Sequence, residues 1–176
     1  MELNSYGITL QRLNINKIEL IRNWRNDPKI SQYMFSKDFI TSEMQLEWFN
    51  KINNEFNFYF ILKYNNEEIG LFNIKNIDYI KKCGETGSFI YEDKFLGSEV
   101  PFRATYCLLD FIFEELKLDY VHGQMLPNNK NAIKFNKFFG ADINFSEDKK
   151  RLSYTLTKEK YFKHRNTCSL IVYLKD

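Results

Sequence analysis

The sequence predicts an α/β (α+β) fold: a mixed, mostly antiparallel, twisted sheet of about seven strands with about four helices on its two faces, in one domain covering residues 1–176. Three observations carry this expectation. Short alternating apolar stretches and segments of helical spacing follow one another as strand, two helices, three strands, helix, strand, helix, strand. Hydrophobic residues make up 44% of the chain and aromatic residues 17%, including 17 Phe and 11 Tyr, which is ample material for a core. No repeat, linker or low-complexity segment interrupts the 176 residues, a length at which one domain buries roughly 70% of the surface its unfolded chain would expose.

Residues 8–13 alternate and give the first strand. Asn16 is placed to cap a helix over 17–26, with Ile18, Ile21 and Trp24 along one side. Asp27-Pro28 ends it, because a proline pushes the preceding residue out of the helical region. Thr41 and Ser42 are caps for a second helix in which Leu46, Phe49 and Ile52 recur at helical spacing. Strands over 56–64 and 68–78 meet at Asn65-Asn66, a pair that tolerates a tight turn, and 85–91 adds a third. A long helix over 100–116 is apolar on nearly every side and is expected to be buried, with Pro101 tolerated in its first turn. Then come a strand over 120–125, a short helix over 131–139 closed by Gly140, and a late strand over 151–157. The apolar tail 168–174 offers either an added strand or a dimer contact, leaving a homodimer open.

Composition excludes several functions. A net charge of +2 gives a weak overall field, and the basic runs (Lys149, Lys150 and Arg151; Lys163, His164 and Arg165) are short, so they read as solvated surface and no nucleic-acid partner is expected. Cys83, Cys107 and Cys168 share no short spacing and His122 stands alone, so no metal or redox site is expected. The N-terminus lacks the pattern of a signal peptide, and no apolar stretch is long enough to cross a bilayer; a cytoplasmic protein without a membrane partner is expected.

Three stretches, in order, carry a resemblance: ETGSFI (85–90), FLGSEVPFRATYCLLDFIFEEL (95–116) and NNKNAIKFNKFFG (128–140). Together they resemble the fourth strand, the CoA loop with its helix, and the N-x-x-A-I element of GNAT acetyltransferases, particularly the branch of the ribosomal-protein alanine acetyltransferases. A narrower resemblance lies in WRNDPKISQYMFSKDFITSEMQLEWF (24–49), which is similar to acetyltransferases acting on a UDP-linked 4-amino sugar in pseudaminic acid biosynthesis, with Gln45 where those proteins carry a His.

The resemblance implies acetyl-CoA as co-substrate and a small sugar nucleotide as acceptor. It implies that the CoA pyrophosphate lies on the backbone of Gly97, Ser98, Glu99 and Val100, that Phe89 and Ile90 line the cofactor, and that Asn129 bonds the pantetheine arm. The physics is the anion site at a helix N-terminus. This loop departs from the family pattern: both of its usual glycines are replaced, Glu99 sets a carboxylate near a polyanion, and Pro101 removes a donor. Glu85 is implied as the general base, with pairing to Lys81 or Lys82 as the structural alternative. Asn136 stands where the family's acidic Tyr would be, so the general acid is not identified. Trp24, Arg25, Asn26, Met34 and Phe35 are implied at the acceptor, with Arg25 able to grip a phosphate; as residues on a helical stripe, Trp24 and Trp48 also read as core. Peptide acetylation and a non-catalytic binding module on the same scaffold are the competing functions.

Overall fold

The computed structural model describes residues 1–146 and 150–168. The strands are β1 (Glu2–Ser5), β2 (Ile8–Arg12), β3 (Phe58–Tyr64), β4 (Glu67–Asp78), β5 (Cys83–Ile90), β6 (Tyr120–Met125), β7 (Asp142–Phe145) and β8 (Leu152–Thr157). They form one eight-stranded sheet in the order β1-β2-β3-β4-β5-β6-β8-β7. All neighbours pair antiparallel except β5 and β6. The helices are α1 (Ile18–Asn26), α2 (Pro28–Ser31), α3 (Ser42–Ile52), α4 (Val100–Asp110), α5 (Lys130–Phe138) and α6 (Lys158–Thr167).

Most expected elements are present, shifted by a residue or two at their ends. The Asn65-Asn66 turn has both residues at positive φ (50° and 66°), the geometry that matches the twist of a two-residue hairpin. Asp27 is extended, as the following proline requires, and its side chain then caps α2 through the Lys29 N–H, a short helix that the sequence pattern does not reveal. The cap before α1 is Asn14 rather than Asn16: its side chain accepts from the Asn16 N–H and opens a 3-10 turn over Ile15–Lys17. On α3 the buried positions are Gln45 and Phe49, while Leu46 is exposed. The helix is thus rotated so that a glutamine donating to the Ile18 carbonyl, at 3.1 Å, faces α1.

The sheet separates two apolar layers. On one face α1 and α3 pack Ile18, Ile21, Trp24 and Phe49 onto Tyr59, Ile61 and Leu71. On the other, α4 lies against Phe58, Phe60, Phe72 and Ile74 and continues as a π-turn over Phe111–Glu115. Its all-round apolarity is explained by cover from α5 and α6, which bring Phe139 and Tyr161 onto Tyr106. The sequence pattern predicts neither β1 nor β7 nor α6. The tail over 169–174, and with it the suggested strand or dimer contact, lies outside the described residues. No described helix is long and apolar enough to cross a membrane.

Candidate functional site

The sheet forks between β5 and β6. These parallel strands pair only at Cys83–Tyr120, Gly84–Val121 and Glu85–His122. Past Glu85, β5 follows β4 up to Ile90, while β6 follows β8 up to Met125, and the two part. The Tyr91 N–H donates to the Ile69 carbonyl of β4 at 2.8 Å. Alternate residues of an antiparallel strand bond to opposite sides, so Thr86, Ser88 and Ile90 turn their N–H and C=O groups into the fork. Phe89 instead addresses β4 with its backbone and packs its ring edge-on against Trp24 at 6.2 Å. Of the two strand residues expected at a cofactor, Ile90 therefore presents its backbone to the opening and Phe89 does not.

The loop into α4 lies at the wide end of this fork. Gly97 has φ +78°, which only glycine adopts without strain, and a side chain there would meet nothing within 4 Å. The Ser98 N–H and hydroxyl both donate to the Phe95 carbonyl, and the Val100 N–H donates to the Ser98 hydroxyl oxygen. Among the described residues this leaves the Gly97, Glu99 and Phe102 N–H groups at the helix start. The Glu99 carboxylate is ion-paired with Arg103 one turn on, so the charge that opposes an anion is largely neutralised. The donor set suits a pyrophosphate, with fewer N–H groups than a glycine-rich loop would give. Opposite, the Asn129 side chain accepts from the Ala132 N–H at 3.0 Å and caps α5, and Asn136 donates to the Ala132 carbonyl, so it offers no acid.

On the α1 face, β3, β4 and β5 line up Tyr59, Asn73 and Gly87 in one row, and β4, β5 and β6 line up Lys75, Glu85 and His122 in the next. Glu85 sits at the last rung before the fork. Its carboxylate pairs with Lys75 at 3.0 Å and accepts from Asn76 at 3.2 Å. Lys81 and Lys82 pair elsewhere, with Asp78 and Asp119, because the register sets Lys75 directly opposite Glu85. Arg25 of α1, half-buried and without an ion pair among the described residues, lies within electrostatic reach of Tyr59 in the first of these rows; burial lowers its pKa. Burial pushes Tyr59 up to about 12, with Arg25 pulling it back and Glu85 adding to the rise, so the neutral phenol shares one space with the two charged groups. The Asn73 Oδ1 is buried with no hydrogen-bond partner.

The remaining acceptor candidates divide. Trp24 is 4% exposed and stacked on Tyr91 at 5.1 Å, a core residue rather than an open platform. Asn26 exchanges two hydrogen bonds of 2.9 Å with the Ile40 backbone and ties the loop after α2 to α1. Met34 donates its N–H to Ser31, and Phe35 lies under the Arg151 guanidinium at 4.3 Å. Arg151 also donates to Gln124 of β6, so this loop reaches across to the far side of the fork. Sequence reasoning misses Tyr59, Asn73 and Lys75, whose alternation reads only as strand; the signal available was their polarity on an otherwise buried face.

The profile of the Acetyltransferase (GNAT) domain matches residues 8–141, most of the chain. The chain belongs to the GNAT family of acetyltransferases. It is 28% identical over 123 residues, 69% of its length and 74% of the relative's, to the acetyltransferase PseH of Campylobacter jejuni, and 31% identical over a stretch of the same length to PseH of another strain. In structure it is similar to Apo FdhC, a nucleotide-linked sugar GNAT, with a TM-score of 0.78 at 22% identity over 94% of this chain and 95% of the other. It is also similar to a spermidine N-acetyltransferase from Vibrio cholerae in complex with CoA and spermine (TM-score 0.77, 20% identity, 89% and 98% covered). The expectations of a GNAT fold and N-acetyltransferase activity therefore hold, with eight strands and six helices in place of about seven and about four.

Proposed function

We propose that this GNAT protein transfers the acetyl group of acetyl-CoA to the amine of a nucleotide-linked amino sugar, a UDP- or dTDP-4-amino-dideoxy sugar. The observation that carries the reading is Arg25, a guanidinium half-buried beside the fork with no counter-ion among the described residues. Burying a cation without a partner is costly, so such a group is retained where an anion completes it. A diphosphate supplies that anion; a polyamine would be repelled. The similarity to PseH and to a nucleotide-linked sugar GNAT points the same way.

Acetyl-CoA, when bound, supplies the thioester. The start of α4 holds its pyrophosphate on the open Gly97, Glu99 and Phe102 N–H groups, with Ser98 and Val100 bonding within the loop to shape it, and the open edge of β5 at Ser88 and Ile90 holds the arm. Glu85 acts as base: it takes a proton from the sugar ammonium, directly or through one water, and leaves a neutral amine that can attack. Lys75 and Asn76 fix the carboxylate's orientation. The Asn73 amide and the Tyr59 hydroxyl give the sugar polar partners along the same row. Holding both reactants at the last rung of the fork supplies much of the acceleration.

Titration calorimetry with UDP tests the reading. Wild type binds, and Arg25→Ala weakens binding by about 10- to 150-fold, the loss of one charged hydrogen-bonding partner, while acetyl-CoA affinity stays unchanged. No UDP or dTDP binding by wild type, or equal binding by Arg25→Ala, overturns it.

A further inference from the structure

Tyr154 lies at the narrow end of the fork and has no part in the scheme above. Its ring starts on β8 and passes over β6 at Gly123, where even a Cβ would come within 2.5 Å of the phenol oxygen. The hydroxyl ends on β5: it donates to the Thr86 carbonyl at 2.9 Å and lies 2.8 Å from the Thr86 Oγ1. One side chain thus spans three strands at the level where the backbone ladder between β5 and β6 has just ended. The ring is 9% exposed and packs with Met125 and Leu152 on the α5 side of the sheet. Glu85 occupies the previous position of β5 and points to the opposite face, toward Lys75.

We propose that the Tyr154 ring is the stop that closes the narrow end of the fork and restricts the donor's acyl group to acetyl. The inference rests on the acyl-CoA reading of the fork. A thioester extended from the wide end far enough to meet an amine beside Glu85 brings its methyl group up against this phenol. The amine enters from the α1 face, so the acyl tail is turned toward the other face, where Tyr154 and the missing side chain of Gly123 set the remaining depth. A propionyl or butyryl group needs volume that the ring fills. Packing over Gly123 and against Met125 and Leu152 holds the ring in place against that pressure.

The test is binding, with no acceptor present. Dissociation constants for acetyl-, propionyl- and butyryl-CoA are measured by calorimetry on wild type, Tyr154→Phe and Tyr154→Ala, each with its melting temperature. We expect wild type to favour acetyl over butyryl by at least about tenfold, the scale on which a pocket rejects an extra methylene. Tyr154→Phe keeps that ratio because it keeps the ring, and Tyr154→Ala brings it to about one. If Tyr154→Ala does not fold, Tyr154→Leu takes its place and is expected to reduce the ratio. A wild type that binds all three equally, a folded Ala or Leu variant with an unchanged ratio, or a Phe variant that loses the ratio as Ala does, overturns the inference while the donor reading stands. A wild type that binds no acyl-CoA removes both.

Discussion

Glu85 shows how the role proposed for a residue rests on its rung. It is the last residue of β5 with a parallel partner on β6, so its side chain stands where the sheet opens, fixed between Lys75 and Asn76. A sugar amine is largely protonated at neutral pH, and only the neutral form attacks a thioester. Glu85→Gln keeps size and most hydrogen bonds but removes basicity, and kcat at neutral pH should fall by about 10²–10⁴-fold. The deficit should shrink as pH rises and the free amine deprotonates by itself; a kcat–pH profile that coincides with wild type would show that another group takes the proton. The ETGSFI motif makes Glu85 legible in the sequence, but its partner is not. The register pairs position 85 with 75, and a register set by hairpin geometry cannot be read from the nearer Lys81 and Lys82. Trp24 is the converse case: its motif marks it for the acceptor, yet its helical spacing with Ile21 already assigns it to the core that Tyr91 and Phe89 complete.

At the scale of elements, the start of α4 is the part whose chemistry the structure changes most. The sequence sets a carboxylate at the helix end proposed to hold the CoA pyrophosphate. The helix returns Arg103 one turn later to pair with it, and the Arg103 side chain is only 16% exposed. Arg103→Gln should therefore weaken acetyl-CoA binding by unmasking Glu99, Glu99→Gln should tighten it by unmasking Arg103, and the double variant should return near wild type. Calorimetry on the four proteins checks it, and single variants that both bind acetyl-CoA as wild type does would show that the pair does not set the local charge. Strong periodicity and punctuation make the meander β3-β4-β5 and the helices α1, α3, α4 and α5 readable. The missed elements lack both. β1 turns into β2 through Tyr6 at φ 56°, unusual for a non-glycine, and Tyr6 is held by a bond to Asp110 of α4, a contact no local pattern contains. α6 buries only Tyr161, so it carries no apolar stripe; its Thr157 cap and the Arg165–Asp110 pair hold it.

At the scale of the whole molecule, the core is rich in tyrosines that the fold keeps neutral. Burial pushes Tyr59 and Tyr154 up to about 12 and drives Tyr6, Tyr106 and Tyr161 further in the same direction. The unfolded chain releases these protons near the ordinary value of about 10, so their contribution is complete below that pH and is lost as pH rises toward the folded values. Denaturant midpoints should hold from neutral to about pH 9 and then fall, with the share of the tyrosinate absorbance that belongs to these five tyrosines appearing together with the loss of circular dichroism. A full tyrosinate titration near pH 10 in a still-folded protein would contradict this. The same fold brings Arg25, Glu85 and the start of α4 to one fork, and the central claim is that this fork moves an acetyl group onto a sugar nucleotide. The direct measurement is the mass of a UDP-4-amino-dideoxy sugar after incubation with acetyl-CoA and the protein, alongside the free thiol released. The account predicts a gain of one acetyl group on the sugar nitrogen for each thiol formed, lost in Arg25→Ala at low sugar concentration. An unchanged sugar mass across UDP- and dTDP-linked amino sugars, with acetylation of a peptide amine instead, would contradict it.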